Sequence, residues 1–154
     1  MRGTMASAVI TLGAGLMLTA GMTTASAGAP TAAHRAPSVR PVLVECLGHG
    51  DVRPADFILA CGDGNSRLTG LHWTQWGPRA ATGTGINEVN DCKPYCAAGR
   101  FHSYPVTVRL DDPKPWKNHP GGRYYTRMSL TYTADRPDGF KPVMTFPLFD
   151  FAGH

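Results

Sequence analysis

Residues 60–104, ACGDGNSRLTGLHWTQWGPRAATGTGINEVNDCKPYCAAGRFHSY, hold three of the chain's four cysteines, two of its three tryptophans and its densest run of turn residues. The stretch reads as two or three strands tied at their ends by disulfides. Phe57–Cys61, which leads into it, is a short apolar run with turn signals on both sides. It is too short for a stable helix and fits a buried strand. Gly62-Asp63-Gly64-Asn65 offers glycine or asparagine at any turn position that needs positive φ. Leu71 and Trp73 then alternate with Thr and His, and Trp76 breaks the phase. A bulge near Gln75, or the end of the strand, explains the break. Gly77-Pro78 ends that strand. Gly83 and Gly85 occupy alternate positions of the next, Ala81–Val89. Strand glycines of this kind face a large neighbour or a close backbone, and Trp73 or Trp76 is the expected cover. Asn90–Gly99 is a loop carrying Cys92 and Cys96.

Downstream, Tyr104–Leu110 alternates cleanly, with Val106, Val108 and Leu110 on one face. Asp111–Gly122 has three prolines and two glycines and reads as a long hairpin-like connection. Tyr124–Ala134 is the strongest strand, with Tyr124, Thr126, Met128, Leu130 and Tyr132 on one face. Pro137-Asp138-Gly139 turns the chain. Val143–Phe149 then groups Met144, Phe146 and Leu148, and Pro147 marks an edge strand or a strand end. Upstream, Val42–Cys46 is a strand and Gly48–Asp51 a turn. No stretch sustains a 3.6-residue period. Short strands between Gly/Pro turns predict an all-β fold, a small disulfide-bonded antiparallel sandwich or partly open barrel, in one domain over 41–152.

The N-terminus bears on location. Arg2, the apolar run Ala8–Ala20 and Ala25-Ser26-Ala27 form the three parts of a secretory signal peptide, residues 1–27. The apolar run is too short for a comfortable membrane span, and no later stretch is long and apolar enough. Residues 28–40 are rich in Ala, Pro and Ser, with too little apolar surface to order themselves, and read as a flexible lead. Cleavage takes 27 of 154 residues, leaving 127. It removes one of 15 basic side chains and none of the 11 acidic ones, so the net charge becomes +3. The arginines are scattered, without a run that tracks a phosphate backbone, so nucleic acid is not an expected partner. Four cysteines behind a signal peptide predict two disulfides in an oxidising, extracellular space. Three pairings are possible, with Cys46–Cys61 or Cys46–Cys96 favoured for one bond. Cys92 and Cys96 lack a histidine pair at ligand spacing, which argues against zinc.

The spacing Ala-Cys-x-Asp-Gly-Asn, then Leu-x-Trp-x-x-Trp, then Cys-x-Pro-x-Cys-Ala-x-Gly ahead of Tyr-Pro-Val resembles a family of small secreted actinobacterial proteins. Cys61, Asp63, Gly64, Asn65, Trp73, Trp76, Cys92, Pro94, Cys96, Gly99, Tyr104 and Pro105 carry the resemblance, which covers about residues 54–133. It implies secretion and one compact domain, and it transfers no catalytic role.

Chemistry is sparse. Asp63-Gly64-Asn65 lacks the further acidic positions of a calcium loop and reads as an Asx turn. No Ser or Cys has the strand-turn-helix context of a nucleophile elbow. The carboxylates fall mostly in turns, and Asp111-Asp112 on a strand would point to opposite faces. No catalytic residue, metal or cofactor is therefore expected. The aromatic set is the stronger lead. Trp73 belongs with the core, whereas Trp116 with Tyr124 and Tyr125 is a candidate stacking platform for a cell-wall or environmental polysaccharide. Lys93 and Tyr95, on the loop between Cys92 and Cys96, are candidates for insertion into a protease. The expected function is a secreted, non-catalytic binding or interaction module. A protease inhibitor acting through the Cys92–Cys96 loop is the alternative, and a secreted hydrolase comes third.

Overall fold

A computed structural model describes residues 39–150. The expected signal peptide and most of the lead lie outside the described residues, as does the end of the predicted domain. Eight strands are present among the described residues: β1 (Leu43–Val44), β2 (Gly50–Asp51), β3 (Phe57–Ile58), β4 (Ser66–Trp76), β5 (Ala81–Asn90), β6 (Phe101–Pro115), β7 (Arg123–Tyr132) and β8 (Val143–Pro147). The only helical turn among the described residues is a 3-10 turn at Cys96–Ala98. Strands β3 to β8 form one antiparallel sheet in sequence order, and β1 pairs with β2. The large sheet curls into a half-barrel. This is the partly open barrel that the turn spacing predicts.

Alternation decides what goes inside. Leu68, Leu71, Trp76, Ala81, Val106, Val108, Leu110, Met128, Leu130 and Tyr132 project into the curl and are buried. Strand β4 provides much of the curvature. Its pairing with β5 shifts between Thr69 and His72, and again between Trp73 and Gln75. The second shift is the bulge expected near Gln75; the first rests on Gly70, whose φ of 59° suits glycine. Gly83 and Gly85 of β5 lie under the bulged strand. A Cβ on Gly83 would meet the His72 carbonyl at 2.6 Å and Trp73 Cε3 at 3.0 Å. On Gly85 it would meet Leu71 Cδ2 at 2.8 Å, so leucine rather than tryptophan covers that position.

Two expectations need correction. Residues 111–115 are strand, not connection: Asp111, Pro113, Lys114 and Pro115 pair with Arg127, Tyr125, Tyr124 and Arg123. Trp116 N–H donates to the Gly122 carbonyl at 2.9 Å, so even-numbered N–H groups here point at β7. Pro113 and Pro115 therefore lack donors only on the outer side, beyond Leu110, where β5 pairing has ended. The second correction concerns Tyr124 and Tyr125. Asp112 adopts φ 52°, and the Thr126 hydroxyl donates to its carbonyl at 2.6 Å. The inward phase of β7 changes across this irregularity, so Tyr125 is buried and Tyr124 half-buried.

The sheet does not close on itself. A ribbon made of β1, β2 and the segment leading to β3 spans the seam. On one side Val42 N–H donates to the Arg123 carbonyl at 2.9 Å, and Tyr125 N–H to the Val42 carbonyl at 3.0 Å. On the other, Leu71 N–H donates to the Ala55 carbonyl at 2.7 Å. The Trp76 indole N–H reaches the Pro41 carbonyl and that of Trp73 the Pro54 carbonyl, each at 2.8 Å. The Cys46–Cys61 disulfide joins the end of β1 to the end of β3. One of the two favoured pairings is thus formed; Cys46–Cys96 is not, because Cys96 pairs with Cys92 at the other end of β5.

Replacing Trp76 with Phe removes a buried indole donor and leaves the Pro41 carbonyl without it. The expected loss is about 1–3 kcal/mol, read as a lower midpoint in urea unfolding followed by fluorescence of the remaining tryptophans.

Candidate functional site

The expected aromatic platform is not assembled. Tyr125 is fully buried, packs edge-on to Trp76 at 5.5 Å and donates its hydroxyl to the Gly77 carbonyl at 2.6 Å. It offers no face to a ligand, and burial raises its phenol pKa. Tyr124, its neighbour, lies on the other side of the strand. Trp116 is half-buried and engaged by the protein itself. His119 stacks on one face with ring centres 3.5 Å apart, and the indole N–H donates to Asp150 Oδ2 at 2.9 Å. The far edge of the ring lies against Gly50, where a Cβ would come within 2.5 Å of Cη2. Gly50 is thus glycine because Trp116 occupies the space.

Lys93 and Tyr95 are exposed, Tyr95 by 63%. Lys93 Nζ lies 3.9 Å from Asp138 Oδ2, a contact between two exposed groups that adds little stability. The loop itself is tightly curled. The Cα atoms of Cys92 and Cys96 are 3.7 Å apart, against about 13 Å for the same five residues fully extended. A protease cleft that aligns substrate as a strand would not meet Lys93 in that form.

Below this loop the structure brings together residues that sequence reasoning left apart. Asp91 Oδ1 accepts the backbone N–H groups of Arg100 at 2.9 Å and Lys93 at 3.1 Å, and Asp91 Oδ2 meets His102 Nε2 at 3.0 Å. The Arg100 N–H, then His102, then the Lys93 N–H hold the Asp91 carboxyl well below the usual carboxylate range. Val89, Tyr104 and Phe140 help line the adjoining hollow of about 300 Å³. Asp91 and His102, eleven residues apart, meet because β5 and β6 are antiparallel neighbours, a pairing the spacing alone did not reveal. Lys93 and Asp138 line the same hollow, and no cluster of three metal-ligating side chains occurs among the described residues.

An apolar recess lies in the seam, beside the ribbon. It measures about 670 Å³, and its walls come from β3, β8 and the residues just after each: Phe57, Ile58 and Leu59 on one side, Phe146, Leu148 and Phe149 on the other, with Val44, Glu45 and Cys46 also lining it. Ile58 is 48% exposed, high for an isoleucine in a strand. Strand β8 ends the sheet, with no described strand on its far side. Tyr132 N–H donates to the Pro142 carbonyl at 3.0 Å and Leu148 N–H to the Thr126 carbonyl at 2.8 Å. By alternation the backbone groups of Val143 and Thr145 point outward, and Pro147 contributes a carbonyl only. The signal for this site was in the sequence. Residues 142–149, PVMTFPLF, carry no charge, whereas edge strands are commonly protected by lysine.

No protein-family model, curated protein or solved structure matches the chain.

Asp91 supplies a pH test. Its carboxyl titrates lower in the folded protein than at the ordinary value, about 3.9, so its ionised form favours folding. That contribution is complete above the ordinary value and falls away as pH drops toward the folded one. Asp91→Asn should therefore melt below wild type at pH 6, with the gap shrinking as pH falls from about 4 to 2. Parallel melting curves by circular dichroism at stepped pH read this directly.

Proposed function

We propose that the protein is an exported, non-catalytic binding module that takes an extended apolar segment of a partner polypeptide into the seam between β3 and β8. The observation that carries this reading is the seam: apolar walls on both sides and a sheet edge with outward backbone groups at Val143 and Thr145. Apolar walls alone would serve an acyl chain as well. The exposed edge favours a polypeptide, because strand addition pairs main-chain groups while alternate side chains enter a pocket. A polysaccharide has weaker support, since Tyr125 is buried and Trp116 is already stacked on His119. The curled Cys92–Cys96 ring likewise gives the protease-inhibitor reading no comparable support. The signal-peptide pattern of residues 1–27 supports export, and the two disulfides agree with an oxidising destination.

A capped hexapeptide of alternating valine and threonine, titrated into isotope-labelled protein, tests the reading. Amide shifts should concentrate at Phe57–Leu59 and Val143–Thr145, and Ile58→Asp should weaken binding by about tenfold or more, the cost of a charge against an apolar ligand. A hexamer of N-acetylglucosamine serves as the competing probe. Shifts around Trp116 with the sugar, and none in the seam with the peptide, would replace this proposal with the polysaccharide one.

A further inference from the structure

The two disulfides sit in very different surroundings. Cys46–Cys61 links segments 15 residues apart across the seam, where few other bonds hold β1 to β3. Cys92–Cys96 spans four residues at the tip of the β5–β6 hairpin, and that hairpin is closed without it. Asn90 pairs with Phe101, Asp91 N–H donates to the Arg100 carbonyl at 2.9 Å, and Arg100 N–H returns to Asp91 Oδ1 at 2.9 Å.

The side chain of Asn90 also grips both cysteines. Its Oδ1 accepts the Cys92 N–H at 3.0 Å, and its Nδ2 donates to the Cys96 carbonyl at 2.8 Å. Asn65 Oδ1 takes the other Nδ2 hydrogen at 2.9 Å, which fixes the amide plane from β4's side. Gly99 is required here, since a Cβ would collide with Asn90 Oδ1 and with the Cys92 backbone at 2.8 Å. The backbones of the two cysteines are thus held side by side by bonds that do not involve sulfur. Cys96 is exposed, and the next residue toward the N-terminus, Tyr95, offers an exposed ring to a partner.

We infer that Cys92–Cys96 is a thiol–disulfide exchange site that accepts two electrons from an extracellular dithiol while the fold stays intact. One thiolate of the dithiol attacks the sulfur of Cys96, the exposed residue of the pair. The Cys92–Cys96 bond breaks, Cys92 leaves as a thiolate and takes a proton from water, and a mixed disulfide joins Cys96 to the partner. The partner's second thiol loses its proton and attacks its own sulfur in that mixed disulfide, expelling Cys96 as a thiolate, which is protonated in turn. The partner ends as a disulfide and the protein as a dithiol. The reverse sequence, with a disulfide of the same class, restores the starting state. A preorganised pair favours the return direction, because the second sulfur is already in place when the first has reacted.

The test uses the full chain with both disulfides formed, graded concentrations of dithiothreitol, and alkylation of freed thiols read by peptide mass spectrometry. Cys92 and Cys96 should label at about tenfold lower reductant than Cys46 and Cys61, as expected for a bond whose opening leaves the fold intact against one whose opening disturbs it. The circular dichroism spectrum should be unchanged at that stage. Re-oxidation by oxidised glutathione should be about tenfold slower in Asn90→Ala, through loss of the effective concentration that the amide provides. Simultaneous reduction of both bonds, loss of the native spectrum with the first, or re-oxidation of Asn90→Ala at the wild-type rate would each overturn the inference. If Asn90→Ala does not fold, the wild-type reduction series decides alone.

Discussion

Two indole hydrogen bonds tie the N-terminal ribbon of this domain to its sheet. A six-stranded sheet in simple sequence order has two ends, and a curl of this size leaves a seam between them. The N-terminal ribbon covers part of that seam with strands of only two residues each, β1, β2 and β3, and the indoles add to three backbone hydrogen bonds and the Cys46–Cys61 disulfide in keeping it there. Trp76 and Trp73 reach from β4 to the Pro41 and Pro54 carbonyls, at the start of the ribbon and just before β3. Each indole brings a large apolar surface to the core and a donor to the backbone beyond it. The two rings meet edge to face at 4.7 Å, so neither moves without the other. Gly83 opposite is the corresponding constraint, leaving Trp73 and the bulged β4 backbone room to lie close.

The other end of the barrel depends on a buried polar set. Asn87, 1% exposed, accepts the Tyr132 hydroxyl at 2.8 Å and donates to Ser66 Oγ and the Arg67 carbonyl. Burial of Tyr132 and the neighbouring Tyr104 push its phenol up to about 12, so it stays protonated and remains the donor. A half-satisfied asparagine at this depth would cost more than an apolar residue would. All of its partners lie on β4 and β7, so the set fixes how those strands sit about β5.

Much of this architecture was legible in the sequence because period-two alternation is a local property. Val106, Val108 and Leu110, or Met128, Leu130 and Tyr132, declare their face wherever the strand goes. The Gln75 bulge was visible because Trp76 falls out of phase with Leu71. Tyr125 was misplaced because the irregularity that alters the β7 phase is on another strand, at Asp112, and nothing near Tyr125 announces it. The prolines of β6 misled for a related reason. Pro113 and Pro115 break strands in general, yet here their missing donors face a side where β5 has ended. Asp91 and His102 meet only through register, and the seam exists only once the sheet has curled.

The openness of the seam is bounded by the same chemistry that makes it open. An uncharged edge strand invites indefinite pairing with other chains. In β8 the outward N–H groups are those of Val143 and Thr145, and Pro147 withholds the next one. Lys141 lies before the uncharged stretch and Asp150 after it, so a long strand extending past either end would meet a charge. The edge therefore has hydrogen-bonding capacity for a few residues of partner backbone and no more. A strand that long gains little from backbone pairing alone, which leaves discrimination to the apolar walls of Phe57, Ile58, Phe146 and Leu148. Under the proposed reading, short edge and apolar recess are complementary: the first would limit how much chain can add, and the second would decide which chain does.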